Sequence, residues 1–177
     1  NLTLSELSIA IPATTNTMYD VFVDYTAGVP VLELVAWTND TTRATALTTQ
    51  NGAYVQTSDT DSLYVCSVRT TGVAGQTEHS FAKRYVFNAY TRVWCPMRAA
   101  LETANTWAYT SGTIRQANAN VANQLDFVLG LSEDMVEGEV HMTAQNSTAG
   151  QIAYPGLGLD STTVIAANTL MLTVTSH

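Results

Sequence analysis

Apolar and polar residues alternate with a period of two along most of the chain, which is the pattern of half-buried β-strands. Residues 7–11 alternate in this way until Pro12 ends the run. In residues 19–25 one face carries only aromatic and β-branched side chains, whereas Asp20 and Asp24 point to the other face. We therefore expect the face with the two aspartates to be exposed to water.

Turn residues divide the alternating runs into hairpins. Residues 19–25 and 31–37 flank one turn cluster, and residues 53–57 and 63–69 flank another. Further short strands are predicted at 81–94, 106–110, 113–116, 124–131, 137–145 and 162–175. About ten short strands, with turn signals every eight to twelve residues or so, predict an all-β fold, an antiparallel β-sandwich or jelly-roll-like architecture.

One segment departs from the alternation. Asn39 or Asp40 could cap one or two helical turns that carry Leu47, and Gly52 could end them. We therefore expect at most one short helix, near residues 40–48.

Alternation also predicts which side chains form the core. We expect residues 1–177 to be a single β-sandwich domain. Because the chain starts at Asn1, without Met and directly in a strand-like pattern, we expect it to be the C-terminal part of a longer product. The predicted core residues are Ile9, Val21, Val23, Leu34, Trp37, Val65, Phe87, Trp94, Leu125, Phe127 and Leu129.

The charge of the chain argues against several partners. Charged residues make up only 12%, about half the usual fraction of roughly 25%, and the net charge is −8. Nucleic-acid binding depends on Lys and Arg, and an acidic membrane surface would repel this chain, so we expect neither partner. No apolar run approaches the roughly 20 residues of a membrane helix. Lys83 is the single lysine, so sheet edges lack their usual blocking residue, which favours a homo-oligomer that covers them.

Catalytic and metal-binding patterns are missing from the sequence. The three histidines belong to no nucleophile-and-base motif, and no Gly-rich phosphate loop occurs. Cys66 and Cys95 lie in apolar runs and are interpreted as buried free thiols, because free Cys packs as a small apolar residue. A disulfide between them is the alternative, since the sequence does not give the Cα geometry that decides it. No Cys/His spacing suggests zinc. The acidic residues of segment 133–139 are interpreted as a solvated turn. We expect no catalytic residue, no metal site and no cofactor.

Trp107 and Tyr109 are the candidate contact residues. They lie in a short polar segment, so their rings are more exposed candidates than Trp37 and Trp94, which end apolar strands. Aromatic faces pack on the C–H surfaces of sugars, so these two residues could contact a glycan or a protein partner.

Several longer motifs follow one another along the chain. They are Thr38-Asn-Asp-Thr-Thr-Arg-Ala-Thr-Ala-Leu, Phe81-Ala-Lys-Arg-Tyr-Val-Phe-Asn-Ala-Tyr-Thr-Arg-Val, Asn105-Thr-Trp-Ala-Tyr-Thr, Arg115-Gln-Ala-Asn, Ala122-Asn-Gln-Leu-Asp-Phe-Val-Leu-Gly-Leu-Ser-Glu-Asp and Gly158-Leu-Asp-Ser-Thr. In order and spacing these motifs resemble a family of tailed-bacteriophage virion proteins described as structural or fibre-like. The resemblance covers residues 7–160 and implies a component of the phage particle, on the head or on the tail. It implies no active-site residue.

The expected function is therefore that of a non-enzymatic virion structural protein. The first interpretation is a capsid decoration (cement) or head-fibre protein, which docks on the major capsid protein as an oligomer. A trimer is expected because shells and fibres present threefold sites. The alternative is a tail-fibre or receptor-binding module that contacts host cell-surface glycan. In both cases the location is the virion, assembled in the bacterial host cytoplasm, where cysteines stay reduced.

Overall fold

The computed structural model describes residues 6–26, 28–99, 107–140 and 156–166, and it is all-β. Within these residues regular structure consists of eight strands and one 3₁₀ turn, Ala117–Ala119. The prediction of an all-β, antiparallel architecture is confirmed. The strands are β1 (Met18–Thr26), β2 (Val29–Ala36), β3 (Leu47–Gln50), β4 (Ala53–Gln56), β5 (Leu63–Arg69), β6 (Lys83–Arg84), β7 (Val86–Asn88) and β8 (Asp126–Phe127).

Six of these strands form one antiparallel sheet. Five of them follow the order β2-β1-β5-β4-β3, and the sixth, β7, pairs with β5 beside this row. Because β1 occupies one edge of β5, strands β4 and β7 share the other edge, at Leu63 and at residues 66–68 respectively. The remaining two strands, β6 and β8, form a separate parallel pair.

The two predicted hairpins both form. Strands β1 and β2 pair over their full length, from Tyr19 opposite Ala36 to Thr26 opposite Val29. Strands β4 and β5 pair in antiparallel register across the predicted turn.

A β-bulge lies where β1 meets β5. Val21 pairs with Cys66, whereas Phe22 pairs with Tyr64, so Val65 is the additional residue on β5. A bulge bends its strand and increases the local twist. The residues of β5 on either side of Val65 therefore keep the faces that match their partners on β1.

Apolar clusters cover both faces of the central strands. Successive side chains of a strand point to opposite faces, so Val21 and Phe22 belong to different clusters. One cluster consists of Phe22, Tyr64, Ala89 and Leu131, packed against Val35, Leu47, Tyr54 and Phe87. The other consists of Tyr19, Val21 and Val68, packed against Ile11, Leu32, Leu34 and Cys66.

The predicted core residues fall into three groups: buried, half-buried and exposed. Val21 is buried, in agreement with the prediction. Those that are half-buried are Ile9, Val23, Leu34, Trp37, Val65, Phe87 and Phe127.

The core prediction is wrong at three positions. Trp94 is 72% exposed and lies in residues 91–99, which form no strand or helix. Leu125 and Leu129 are 38% and 40% exposed. In their segment burial falls on Val128 and Gly130 instead.

Close packing at Gly130 explains why burial falls on Val128 and Gly130 and not on Leu125 and Leu129. A side chain at this position would collide with the Phe87 ring and the Tyr64 hydroxyl. Gly130 therefore lets its segment approach the first apolar cluster closely, with Leu131 buried in that cluster. Because glycine contributes nothing to an apolar pattern, alternation of the leucines pointed to the opposite face.

No helix forms near residues 40–48, so that expectation is corrected. The segment leads into β3, and Asn51-Gly52 connects β3 to β4 as a two-residue turn. Both turn residues have positive φ, +52° at Asn51 and +83° at Gly52. This is the backbone of a type I′ hairpin, for which Asn-Gly is the preferred dipeptide. Gly52, which was expected to end a helix, is therefore the second residue of a hairpin turn.

Most of the strands predicted in the C-terminal half do not form among the described residues. Residues 107–116 contain no strand, and within 124–131 only the two residues of β8 are paired. Residues 137–140 and 162–166 are irregular, and the rest of the predictions at 137–145 and 162–175 lie outside the described residues.

The chain divides into two compact units, Asn1–Ala99 with Gln124–Asp134, and Ala100–Asn123 with Met135–His177. The first unit contains all eight strands. Within the part of the chain that is described, no helix has the length and apolar character needed to cross a membrane.

Candidate functional site

A buried ion pair joins the centre of the sheet to the loop between β2 and β3. Asp20 of β1 is 2% exposed, and its carboxylate accepts hydrogen bonds from Arg43 Nε at 2.7 Å and Nη2 at 3.3 Å. Ser67 of β5 donates to the same carboxylate at 2.6 Å. A buried carboxylate is stable only when it is paired and hydrogen bonded. Arg43 and Ser67 therefore make the position of Asp20 possible.

Arg43 also contacts several other elements. Its Nη2 lies 3.4 Å from Ser67 Oγ and donates to the carbonyl of Gly130. Its guanidinium carbon lies 4.5 Å from the ring centre of Trp37 and 5.4 Å from that of Tyr64. One side chain thus holds the loop after β2 and the segment at residue 130 against the same face of the sheet.

The expectation that Asp20 faces water is wrong, because its face of β1 is part of the core. Side chains two residues apart share a face, and Phe22 on that face has no exposed surface. Two signals were present in the sequence: a phenylalanine on the supposedly polar face, and Arg43 as a single cation in an otherwise uncharged run of residues 41–50. Asp24, further along the same face, is half-buried.

A cleft of about 400 Å³ lies beside this ion pair. Its wall combines two aromatic rings, several hydroxyl groups and one charge of each sign. The lining residues are Trp37, Thr41, Thr42, Arg43, Ala46, Leu47, Tyr54, Leu131, Ser132 and Glu133.

The charges around the cleft are paired. The hydroxyl of Tyr54 donates to Glu133 Oε2 at 2.7 Å, and Arg92 forms ion pairs with Glu133 and, at 3.6 Å, with Asp134 Oδ1. The hydrogen bond from Tyr54, followed by that from Arg92, lowers the pKa of Glu133. The same contact to Glu133 raises the pKa of Tyr54. Arg43 and Glu133 each have an oppositely charged partner. The cleft therefore offers aromatic and hydroxyl groups to a ligand, and not an unpaired charge.

The ion-pair network holds structure together rather than presenting a nucleophile. The Ser67 hydroxyl bonds both the Asp20 carboxylate and, at 2.7 Å, the Tyr64 hydroxyl. Ser67 and Tyr64 have no exposed surface. Burial raises the pKa of Tyr64 to about 12, so this hydroxyl stays protonated at neutral pH.

Both cysteines are free thiols, and Cys66 is half-buried whereas Cys95 is exposed. Cys66 packs against the second apolar cluster, and burial raises the pKa of its thiol to about 11. Cys95 is exposed, so the interpretation of Cys95 as a buried thiol is wrong. Cys95 follows Trp94 in residues 91–99, which form no strand or helix.

Trp107 and Tyr109, the predicted contact residues, are 38% and 36% exposed. The guanidinium of Arg115 lies 3.7 Å from the centre of the Tyr109 ring, and the Tyr109 hydroxyl donates to the carbonyl of Thr113. One face of the Tyr109 ring is therefore covered by Arg115. Sequence reasoning did not find the cleft around Arg43 and Tyr54, and the contact role of Trp107 and Tyr109 stays a prediction.

Among the described residues, no group of three or more His, Cys, Asp or Glu side chains is placed to hold a metal ion. In the acidic segment, Glu133 and Asp134 contact Arg92.

Comparison with known proteins gives no match: no family model, no curated protein and no solved structure is similar to this chain. The function of this chain is therefore inferred from its own residues, contacts and sequence motifs.

Proposed function

We propose that this chain is a non-enzymatic structural protein of a bacteriophage particle, specifically a capsid decoration (cement) or head-fibre protein. It docks on the shell as a homo-oligomer, and its partners are copies of itself and other virion proteins such as the major capsid protein. Its location is the virion. The resemblance of residues 7–160 to phage virion proteins supports the particle, and the surface of the chain supports docking.

The observation that carries the proposal is an exposed apolar segment at residues 81–94. Phe81, Tyr90, Val93 and Trp94 are all exposed there, and Trp94 is the most exposed of the four. Large exposed apolar side chains gathered in one stretch of the chain are typical of sites of protein contact. Residues 81–93, which directly precede Trp94, form one of the two longest motifs of the family resemblance, and residues 122–134 form the other.

The chemistry of this segment fits a protein partner. Aromatic residues are enriched in the buried centre of protein interfaces, where charged residues are depleted. Within the segment Arg84 is held over the Phe81 ring at 5.8 Å and donates to the carbonyl of Pro96. The cation therefore supports the shape of the segment while Trp94 remains available for contact.

Binding to isolated phage heads tests the proposal. We expect purified chain to bind saturably to heads that lack it, and to raise the temperature at which the heads open, because a ligand of the intact state stabilises that state. Trp94→Ser should weaken binding by about 30-fold, the effect of losing one aromatic hot spot. Val121→Ser, at another exposed apolar position, is the matched control and should bind like the unchanged chain.

Imaging of particles with the chain located gives the second readout. Density for the chain on the shell would support the head assignment. Density confined to the tail, or heads whose opening temperature does not respond to the chain, would contradict it.

A tail-fibre or receptor-binding module that contacts host cell-surface glycan is the second candidate function. It is favoured by the exposure of Trp107 and Tyr109 in one polar segment. This function predicts saturable binding of the chain to host glycan, lost in Trp107→Ala and retained in Val121→Ala. Equal glycan binding by both variants would exclude Trp107 as the contact.

A further inference from the structure

The outer edge of strand β2 has no partner among the described residues. Strand β2 is the first strand of the six-stranded sheet, and its only neighbour is β1. It is eight residues long and contains no lysine, the residue that most often blocks an exposed edge. An edge of this length exposes a row of unpaired N–H and C=O groups.

The pairing with β1 identifies which backbone groups point outwards. Trp37 N donates to Met18 O at 2.8 Å, and Trp37 lies directly opposite Met18 if the register of the hairpin is continued by one residue. In an antiparallel ladder, opposed pairs alternate between bonded and non-bonded. Bonded pairs therefore fall at alternate positions of β2, and the backbone groups of the intervening residues point away from β1. These intervening residues are Pro30, Leu32, Leu34 and Ala36.

The position of Pro30 agrees with this assignment. Proline has no N–H to donate, so within a sheet it is confined to positions whose N–H would point away from the neighbouring strand. Pro30 stands opposite Tyr25 in the hairpin without interrupting it. The N–H groups of Leu32, Leu34 and Ala36 are therefore the donors of this edge that have no strand partner among the described residues.

We propose that two copies of this chain pair through their β2 strands, antiparallel, about a two-fold axis at Leu34. The inference deepens the proposed assembly role, and rests on it, by naming the surface through which copies join. It sets a two-fold pair in place of the trimer expected from the sequence. Leu34 then faces Leu34 of the second copy, and Leu32 faces Ala36 of the second copy. About six backbone hydrogen bonds join the two strands, and none of them requires the missing N–H of Pro30.

Glu33 explains why the axis lies at Leu34. Centring the axis one residue earlier would place the two Glu33 side chains directly opposite each other, and like charges so placed are destabilising. It would also set Pro30 opposite Ala36 of the second copy, where one hydrogen bond on each side could not form. The register at Leu34 sets Glu33 opposite Val35 of the second copy instead.

Apolar packing continues across the proposed interface. Leu32 and Leu34 are half-buried and pack against the second apolar cluster, beside Val21. In the paired form the leucines of both copies lie side by side on that face. The two clusters thereby extend into one another, and the half-exposed surface of both leucines is covered.

Two matched proline variants test the edge. Ala36→Pro removes an outward N–H from β2, and Ala36 is exposed, so little packing is lost. Thr49→Pro is the control on β3, at the opposite end of the sheet order. There Thr57 N donates to Ala46 O, so by the same alternation the N–H of Thr49 points outwards. Both variants therefore remove one exposed edge donor without breaking a pair inside the sheet.

Sedimentation of the full chain measures the outcome. We expect the unchanged chain to approach twice its mass of 19.0 kDa with rising concentration. Ala36→Pro should weaken the pair by about 30-fold, since two of the hydrogen bonds are lost, and Thr49→Pro should leave it unchanged. A monomer at all concentrations, a three-chain mass insensitive to Ala36→Pro, or weakening by Thr49→Pro alone would overturn the proposal.

Amide hydrogen exchange tests the same edge without any substitution. The N–H groups of Leu32, Leu34 and Ala36 should be protected at high concentration and should exchange rapidly on dilution. Exchange as fast as that of the exposed loop residue Thr60 at every concentration would overturn the pairing even if a proline variant failed to fold.

Head binding separates this inference from the proposed function. If Ala36→Pro sediments as a monomer and still binds heads, the pairing stands and docking does not depend on it. If the unchanged chain pairs through β2 but binds no heads, the assembly role fails while the interface is retained.

Discussion

Asp20 is held in the centre of the sheet by Arg43 at 2.7 Å and Ser67 at 2.6 Å. Removing one member of such a pair leaves a buried charge uncompensated. Asp20→Asn should therefore lower the free energy of unfolding by about 3 kcal/mol, because Arg43 loses its carboxylate inside the protein. Chemical denaturation followed by circular dichroism measures this loss.

The same substitution at an exposed ion pair is the control. Asp40 lies 3.3 Å from Arg69 and is largely exposed. Asp40→Asn should lower the free energy of unfolding by less than about 1 kcal/mol, as is usual for surface pairs. Equal losses in Asp20→Asn and Asp40→Asn would show that the buried pair does not stabilise the fold.

Two buried acids make the stability of the chain sensitive to alkali. Burial raises the pKa of Cys66 from 9.0 to about 11, and that of Tyr64 from 10.0 to about 12. Between each pair of values the unfolded chain has lost a proton that the folded chain retains. Stability is therefore fully present below pH 9 and falls as pH rises through 9–12.

Cys66→Ala separates the two contributions to this fall. This variant should lack the loss of stability that begins at pH 9 and should keep the loss between pH 10 and 12. The free energy of unfolding, measured as a function of pH, shows both losses. A profile identical to that of the unchanged chain would contradict the assignment to Cys66.

At the scale of the element, the turn Asn51-Gly52 fixes the β3–β4 hairpin. Gly52 has φ +83°, a conformation that costs other residues about 1–2 kcal/mol. Gly52→Ala should therefore lower the free energy of unfolding by about that amount. Gly72→Ala is the matched control, since an added Cβ there would lie 3.9 Å from Asn16, an ordinary contact. It should change stability by no more than about 0.5 kcal/mol, and an equal loss in both variants would contradict the turn assignment.

Elements with a strong local signal could be predicted from the sequence. The β1–β2 and β4–β5 hairpins follow from alternation and turn residues alone. The β3–β4 hairpin was missed although Asn-Gly is a strong hairpin signal, because its strands are only four residues long and β3 carries one apolar residue, Leu47. Short polar strands have too few alternating positions to reveal a period.

At the scale of the whole molecule, burial of both faces of β1 limited the prediction. Alternation assigns one face to the core and the other to water, but residues 18–22 are all buried. A central strand covered on both sides has no wet face, so its pattern cannot reveal which polar residue is buried and paired. The cleft around Arg43 depends on contacts between residues far apart in sequence, such as the one from Arg43 to Gly130, which no local pattern shows.

Net charge governs how copies of this chain meet. Each copy carries −8, so any pair must bring two negative bodies together against their mutual repulsion. The proposed β2 interface consists of backbone hydrogen bonds and leucines, and it has no ion pair that salt could weaken. The distance over which charges repel in solution, the Debye length, falls from about 30 Å at 0.01 M salt to about 8 Å at 0.15 M. Added sodium chloride should therefore strengthen self-association over this range, measured by sedimentation at fixed protein concentration. An interface built from ion pairs would weaken instead, so a decrease in association with salt would contradict pairing through β2.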